Sequence, residues 1–535
     1  MPEGLGVSPG RTAGPVFRLA PPPALPADVP AAGPDDATRA VAALRFVADD
    51  LAALAAEVTG TAAEVLDAES MIAADKTLAD AVTAKVAAGR PAAWAVTEAI
   101  ADQQEVFAAL GGYFAERAAD LADIRDRAVA RLLDLPMPGL PRPGEPFVLV
   151  ADDLAPADTV LLDPAQVLAI VTRRGGPTSH TAILARARGL PAVVSCPLDV
   201  PDGTIVSVDG STGVVAEVSS TAAAEIRAER DRLRADAPTG PGRTADGHPV
   251  PLLGNVGAAA DASPDTEGIG LFRTEFLFLG RASAPTVEEQ ARAYAEVFRA
   301  QGTGKIVVRT LDAGADKPLP FLRLAAEENP ALGVRGLRVA RSHPMVLADQ
   351  LAAVALAARE TGADVWVMAP MVATAEEAES FVAVAREAGL PVAGAMIEVP
   401  AAALRAAQLL SVVDFVSIGT NDLSQYTMAA DRMNGSLADL LDPWQPAVLE
   451  LVAACARAGR AAGKPVGVCG ESAGDPLLAL VFVGLGVTSL SMSGPSVAAV
   501  RAALAKHTQA DCERLAEAAL AAPSARAARA VVAAG

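Results

Sequence analysis

The alternation of apolar and polar positions changes rhythm several times along the chain. Residues 1–20 carry two short β-like pieces, Gly4–Val7 and Gly14–Leu19, followed by a connector, Pro21–Pro34, too rich in proline for regular structure. From about Asp35 to Leu135 apolar residues recur at three- and four-residue spacing, the period of an amphipathic helix. Gly60, Gly89 and Gly111–Gly112 interrupt it, and Asp35–Asp36 and Thr61 are placed to cap, so the stretch predicts a bundle of four or five helices. From Pro146 to Val218 the pattern becomes β/α. Strands are predicted at Phe147–Val150, Thr159–Leu162, Val167–Thr172, Ala192–Val194, Thr204–Val208 and Gly213–Val218, with one helix after Thr172. The β pieces before residue 20 have no core of their own and are expected to join these strands, which makes the helical bundle an insertion. Ala222–Ala235 reads as a charged linker helix and Asp236–Pro251 as a Pro/Gly connector.

The last section is the most regular. Eight apolar runs appear, most separated by helical segments: Leu252–Asn255, Gly268–Arg273, Lys305–Asp312, Val365–Met371, Val392–Glu398, Val413–Asp422, Pro465–Glu471 and Ser489–Ser493. Eight such strands in about 260 residues predict a (β/α)8 barrel. The expected organisation is therefore an α/β multidomain chain: a β/α domain from residues 1–20 plus 140–221, an inserted α-helical bundle at 35–135, a linker helix and connector at 222–250, and a C-terminal (β/α)8 barrel at 251–535.

Composition narrows the function classes. A net charge of −20 argues against a nucleic-acid partner, whose phosphates would be repelled. Asp35–Asp134 holds 18 acidic and 9 basic residues, which suits either an ordinary solvated helix surface or a dock for a basic partner protein. The longest uncharged run, Pro476–Val500, is long enough to span a bilayer. Four glycine or proline positions (Gly484, Gly486, Gly494, Pro495) and several hydroxyl residues interrupt it, so a helix followed by a buried strand explains it better than membrane insertion. The N-terminus has no basic-then-apolar leader pattern, and a cytoplasmic location is expected. Cys196, Cys455, Cys469 and Cys512 show no metal-site spacing and read as reduced thiols.

Candidate chemistry falls in two places. In Arg174–Ala187 a strand ends in a Gly175–Gly176 turn, and Thr178 or Ser179 can cap the following helix, which puts His180 near its N-terminus. Backbone N–H groups collect there and favour an anion, so His180 is either a carrier of a covalent phosphoryl group or a residue that merely satisfies a helix end. The second place is the barrel rim, where Arg273, Arg309, Asp312, Glu398, Asn421, Asp422 and Cys469 recur at strand C-terminal ends, the face on which barrels build active sites. Arg273, Arg309 and Arg335 supply permanent planar charge, either for a small polyanion or to pair with barrel carboxylates such as Asp312. Glu398 and Asp422, at the ends of neighbouring strands, fit Mg²⁺, and Cys469 is either an acid or base towards a carbon centre or a buried structural thiol.

Taken together, Gly175–Thr181, Gly270–Phe278, Arg309–Asp312, Glu327–Pro330, Met396–Pro400, Ser417–Tyr426 and Val468–Glu471 resemble the phosphoenolpyruvate-utilising enzymes. Among these they are most similar to the phosphoenolpyruvate-protein phosphotransferase family, Enzyme I of the bacterial sugar phosphotransferase system. The resemblance covers nearly the whole chain. It implies that His180 is the phosphorylated residue, in a swivelling phosphohistidine domain that moves about the connector as a hinge. Arg273, Arg309, Arg432 and Asn421 would hold the substrate phosphate and carboxylate, with Asp422 at the same site and Arg335 and Lys317 in a second rank. Glu398 and Asp422 would ligate Mg²⁺, and Cys469 would protonate the enolpyruvate carbon to give pyruvate. It implies further that the acceptor is the histidine-containing phosphocarrier HPr, docked on the helical insertion, and that the barrel domain forms a homodimer.

Two departures from the family pattern stand out. Pro177 replaces a basic residue common in the Gly-Gly-x-Thr-Ser-His motif, removing a local positive charge, and Ala383–Pro391 is short before strand 5 of the barrel. A dikinase or synthase of the same superfamily would need a large nucleotide-binding domain before His180, and the residues there read as a small bundle without a phosphate loop. A non-catalytic phosphorelay regulator should have lost Cys469, an arginine or a carboxylate, and all are present. An Mg²⁺-enolate lyase would leave His180 unexplained, and no N-terminal sensory segment marks a nitrogen-regulatory variant.

Overall fold

A computed structural model describes residues 4–20, 23–57, 66, 69–110, 118–135, 137–141, 143–152, 154, 162–176, 180–235, 238–278, 281, 283–314, 319–322, 324–325, 327–432, 437 and 439–535. The chain divides into two compact units, one made mainly of residues up to Ile226 and the other mainly of Arg227–Gly535.

In the first unit, seven strands form one sheet. They are β1 (Leu5–Ser8), β2 (Arg11–Arg18), β3 (Phe147–Ala151), β4 (Val167–Thr172), β5 (Ala192–Val194), β6 (Ile205–Asp209) and β7 (Val214–Glu217), in the order β1-β5-β4-β3-β2-β6-β7. β2 starts three residues before the predicted strand and serves two neighbours. Arg11–Pro15 runs antiparallel to β6, and Val16–Arg18 runs parallel to β3. The strand predicted at Thr159–Leu162 falls outside the described residues except for Leu162, which is buried but not in a strand. β3 and β4 are buried along their whole length, as expected of central strands covered on both faces.

Between β2 and β3 lie α1 (Asp36–Glu57), α2 (Lys76–Ala87), α3 (Ala92–Leu110) and α4 (Ala118–Leu132). Their apolar stripes close on a core of Leu44, Val47, Leu51, Leu78, Val82, Val96, Ile100, Leu121 and Ile124. The break at Gly89 holds: φ is +90° there, a conformation that costs glycine little, and α2 ends just before it. Thr61 and Gly111–Gly112 lie outside the described residues. The helix α5 (His180–Arg188) follows β4, and α6 (Ser220–Ala235) follows β7.

The second unit holds a closed parallel barrel. Its strands are β8 (Leu252–Val256), β9 (Ile269–Arg273), β10 (Lys305–Arg309), β11 (Asp364–Ala369), β12 (Ala393–Ile397), β13 (Val416–Ile418), β14 (Val466–Val468) and β15 (Ser489–Met492). Around them run α7 (Val287–Gln301), α8 (Pro344–Thr361), α9 (Ala375–Glu387), α10 (Pro400–Leu404), α11 (Ala406–Val412), α12 (Thr420–Met428), α13 (Pro446–Ala462), α14 (Pro476–Leu485), α15 (Gly494–Leu504), α16 (Gln509–Ala521) and α17 (Ala525–Ala534). Several helices carry their start signal in sequence. Thr286 with Glu289 and Thr374 with Glu377 form capping boxes, and Pro344, Pro446 and Pro476 sit in first turns where their missing N–H costs nothing. The uncharged run Pro476–Val500 becomes α14, β15 and the start of α15, and among the described residues no helix is long and apolar enough to cross a membrane. The connector before the barrel is well tied: the Val250 N–H bonds Gly242 O, the Ala245 N–H bonds His507 O, and the Gly242 N–H bonds Glu267 Oε1.

Candidate active site

Strand ends and the loops after them gather the polar residues at one rim. Arg273 and Arg309 close β9 and β10 and lie opposite each other in the ladder. Glu398 follows β12 directly, and Cys469 follows β14. Asn421 and Asp422 are placed differently from the expectation. The run Val413–Asp422 yields only a three-residue strand, because the chain turns at Gly419 into α12, so both residues stand in the first helical turn. A carboxylate is favoured there by the helix dipole. Gly419 also makes room, since a side chain would bring its Cβ to 2.8 Å from Glu398 Cγ.

Arg335 is the best-anchored cation of the rim. Its Nε and Nη2 donate to Asp312 at 3.1 and 3.0 Å, and its Nη1 donates to Asp422 Oδ1 at 3.0 Å. The segment carrying it is held by an antiparallel bridge to Gly314, where a Cβ would lie 2.4 Å from Val334 O. Arg309 donates to Glu275 Oε1 at 2.9 Å and lies 3.2 Å from Asp312 and 3.7 Å from Glu398. Burial opposes its charge, but these carboxylates outweigh burial and raise its pKa. Its buried Nε has no hydrogen-bond partner among the described residues. Arg273 donates to Glu471 Oε1 at 2.7 Å, and burial of Glu471 is overridden by that guanidinium, which holds the carboxyl below its usual range. Arg432 reaches Asp422 only at 3.4 Å and keeps a fifth of its side chain exposed.

Three buried carboxylates, Asp312, Glu398 and Asp422, bring one oxygen each within 4.8 Å of one another. This all-oxygen donor set suits a hard divalent cation. Burial, then the neighbouring Asp422 and Asp312 charges, push the pKa of Glu398 up to about 8. The Met371 N–H donates to Glu398 Oε2 at 2.8 Å from a residue with φ +59°, a costly conformation for a side chain of that size. The sequence indicated Glu398 and Asp422 as ligands, whereas Asp312 was noted only as a rim residue and arginine partner. Its signal was the spacing in Arg309-Thr310-Leu311-Asp312, which places the carboxylate just past the strand end.

Cys469 lies inside the barrel mouth among Leu271, Val307, Met368, Met396 and Phe415. Burial pushes its thiol up to about 11, offset in part by a hydrogen bond with Ser417, so it stays protonated at neutral pH. The Asn255 amide holds the Cys469 carbonyl at 3.1 Å and accepts from Ser491 at 2.6 Å. Two further residues serve the site without having been singled out in the sequence. Glu275 accepts from Arg309 and from the Asp312 N–H at 3.0 Å, and Tyr426 accepts from Arg335 at 3.4 Å while donating to Ala331 O. Lys317 lies outside the described residues, as do Pro177, Thr178 and Ser179. His180 is the first residue of α5, and its side chain also lies outside them.

The rim thus carries arginines suited to an anion, three buried carboxylates suited to a hard cation and a protonated thiol. The chain matches the family profiles "PEP-utilising enzyme, PEP-binding domain" over residues 231–509, "PEP-utilising enzyme, mobile domain" over 143–213 and "PEP-utilising enzyme, N-terminal" over 3–117. It is 54% identical to the phosphoenolpyruvate-protein phosphotransferase of Streptomyces coelicolor over 92% of this chain and 90% of that protein. Identity to the protein of that name from Haloferax volcanii is 42%, over 85% of this chain and 84% of the relative. For the Geobacillus stearothermophilus protein it is 41%, over 76% and 74%. With all three profiles in order along one chain and most of its length aligned to these relatives, the chain belongs to the phosphoenolpyruvate-protein phosphotransferases, a family of the phosphoenolpyruvate-utilising enzymes.

Proposed function

We propose that the chain moves the phosphoryl group of phosphoenolpyruvate to a ring nitrogen of His180 and from there to a histidine of an HPr-type phosphocarrier, with release of pyruvate. The observation that carries this reading is the convergence of Arg273, Arg309, Arg335 and Arg432 with three carboxylates and a neutral thiol on one barrel rim. Phosphoryl transfer needs positioning and charge neutralisation more than covalent assistance, and planar cations supply both. In this reading Arg273, Arg309 and Arg432, with Asn421, bind the phosphate and carboxylate of the substrate. Arg335 and Lys317 support them, and Asp422 orients Arg432 as well as facing the cation.

Glu398 and Asp422, with Asp312 beside them, are the residues that would hold Mg²⁺, which when bound adds positive charge at the phosphate and enol oxygens. The bond from phosphorus to the enol oxygen breaks as the bond to the His180 nitrogen forms, leaving the electron pair on the enolate. Cys469 gives its proton to the methylene carbon, which completes pyruvate, and the thiolate recovers a proton from solvent. A thiol held up to about 11 is neutral when that proton is needed.

His180 belongs to the β/α portion of the chain (1–20 with 140–221) and the rim to the barrel, so the reading requires the histidine-bearing portion to swivel between donor and acceptor. Because the stretch around Gly242–Val250 is hydrogen-bonded to Glu267 and His507, we place the hinge upstream of Gly242. The acidic helical insertion at 35–135 is the proposed dock for the phosphocarrier, and the barrel the proposed homodimer contact.

The test is incubation of the whole chain with labelled phosphoenolpyruvate and Mg²⁺ beside its His180→Ala variant. Wild type is expected to acquire acid-labile phosphate and the variant none. No label on the wild type, or label retained by the variant, would sink the reading.

A further inference from the structure

Behind the rim, on α8, Gln350 is fully buried, with both amide protons donated and its carbonyl oxygen accepting. Its Oε1 accepts from the Leu311 N–H at 2.8 Å, while Nε2 donates to Thr274 Oγ1 at 3.0 Å and to the Tyr294 hydroxyl at 3.1 Å. The two hydroxyls cannot turn their protons back towards it without breaking other bonds. Thr274 Oγ1 donates to Arg309 O at 2.9 Å, and the Tyr294 hydroxyl donates to Gln290 Oε1 at 3.0 Å. Gln290 in turn donates to Pro285 O at 3.0 Å. The sense of the amide is thereby fixed: reversing it would set an NH₂ group against the Leu311 N–H and an oxygen against two acceptors. A buried network with every member satisfied is rigid, and one unmet group in it is costly.

What this network grips are the two strand ends that carry Arg273 and Arg309. Their backbones already face each other at the last ladder position, and the Thr274 hydroxyl adds a tie from the residue after Arg273 to the Arg309 carbonyl. Leu311, held by Gln350, begins the turn that delivers Asp312 to the carboxylate cluster. We infer that Gln350 is a positioning residue for the substrate site, acting through Thr274 and Leu311 to set the spacing of Arg273 against Arg309. This rests on the proposed reading that these arginines bind the substrate phosphate. A displacement of a fraction of an ångström in one of two charges that grip one anion weakens binding in the ground and transition states alike, so KM moves more than kcat.

The variants are Gln350→Glu, which keeps shape and acceptor but loses both donors, Thr274→Val, which keeps volume but loses the hydroxyl, and Thr274→Ser, which restores it. Steady-state pyruvate release from the full-length chain with HPr and Mg²⁺ is the readout, alongside thermal unfolding. The expected result is a roughly tenfold rise in KM for phosphoenolpyruvate in Gln350→Glu and Thr274→Val, with kcat within about threefold, and a near-normal KM in Thr274→Ser. A network serving stability alone would lower the melting temperature of both and leave KM within twofold of wild type; that outcome overturns the inference. Should Gln350→Glu not fold, the Thr274 pair decides it by the same criterion. A wild type that releases no pyruvate overturns the substrate reading beneath it, which an active wild type with unchanged variants does not.

Discussion

Arg335 and Asp312 meet as a two-pronged pair, Nε to Oδ1 at 3.1 Å and Nη2 to Oδ2 at 3.0 Å, each side chain 1% exposed. Bidentate geometry of this kind is the strongest form of an arginine–carboxylate contact. Because Nη1 continues to Asp422, one guanidinium separates two members of the carboxylate cluster and makes their shared negative charge tolerable.

Replacing Arg335 therefore takes from two buried carboxylates their shortest-bonded guanidinium at once, leaving Asp312 to Arg309 at 3.2 Å and Asp422 to Arg432 at 3.4 Å. Arg335→Met is expected to destabilise the chain by about 3–5 kcal/mol in the absence of Mg²⁺, the cost of removing one partner from a buried ion-pair cluster. Chemical denaturation of the barrel signal from Trp366 and Trp444 reads it directly. A loss below about 1 kcal/mol would mean that the cluster is solvated and the pair superficial.

Much of this arrangement was legible in the sequence. The eight barrel strands announced themselves because parallel strands buried on both faces are continuous apolar runs, and the places of Arg273, Arg309, Asp312 and Glu398 followed from where those runs stop, whereas Arg432 was indicated only by the family resemblance. Boundaries were less readable wherever a glycine ends the strand early. Gly419 turns the chain into α12, so Asp422 reaches the cluster from a helix and not from a strand end. Residues that act from behind the rim gave no signal. Gln350 occupies one core-facing position of an amphipathic helix, and its meaning depends on which hydroxyls the barrel brings against it. Glu275 was visible as part of a motif, yet its bond to Arg309 spans 34 positions and exists only once β9 and β10 are paired.

In the proposed reading, Glu398 makes cation binding pH-dependent. Burial and its acidic neighbours raise its carboxyl to about 8 from an ordinary value near 4.5. A raised folded-state pKa means that its contribution to stability is fully present below about pH 4.5 and is lost as pH rises through 8, in the metal-free chain. A cation must displace that proton, so Mg²⁺ affinity is expected to climb up to about tenfold per pH unit from pH 6 and to level off above 8. Titration calorimetry across pH 6–9 measures this. Glu398→Gln should bind weakly at every pH, and a wild type whose affinity is flat over that range would remove Glu398 from the coordination.

The helical insertion holds a separate acidic strain point. Glu69 is fully buried, and burial first, then Asp123 and Asp120, raise its carboxyl to about 9. By the same sign argument the bundle loses stability as pH rises from about 4.5 to 9, because the folded state must keep a proton that the unfolded chain releases. Glu69→Gln, uncharged at all pH and nearly the same size, is expected to gain roughly 2 kcal/mol at pH 8 and nothing at pH 4. Hydrogen exchange of amides in α1 and α3 at the two pH values isolates the bundle from the barrel. Equal protection in variant and wild type at pH 8 would show that Glu69 is already relieved by a neighbour.

In the proposed reaction, Cys469 separates binding from chemistry. Its sulfur sits within the apolar barrel mouth, 3.6 Å from the Ile418 carbonyl, and the thiol is held up to about 11 chiefly by burial. Removing it leaves the arginines and carboxylates untouched, since none of them bonds the sulfur. Cys469→Ala is accordingly expected to bind phosphoenolpyruvate and Mg²⁺ normally and to form pyruvate about 10²–10⁴ times more slowly, the range over which a positioned general acid contributes. Cys469→Ser should be nearly as slow, because an alcohol is a much weaker acid than a thiol in the same place. In wild type no falling limb from this group is expected in the pH–rate profile below about pH 10, as the donor stays protonated throughout. Stopped-flow measurement of pyruvate release, paired with equilibrium binding, tests all three points, and an alanine variant that turns over at the wild-type rate would assign the proton to another donor.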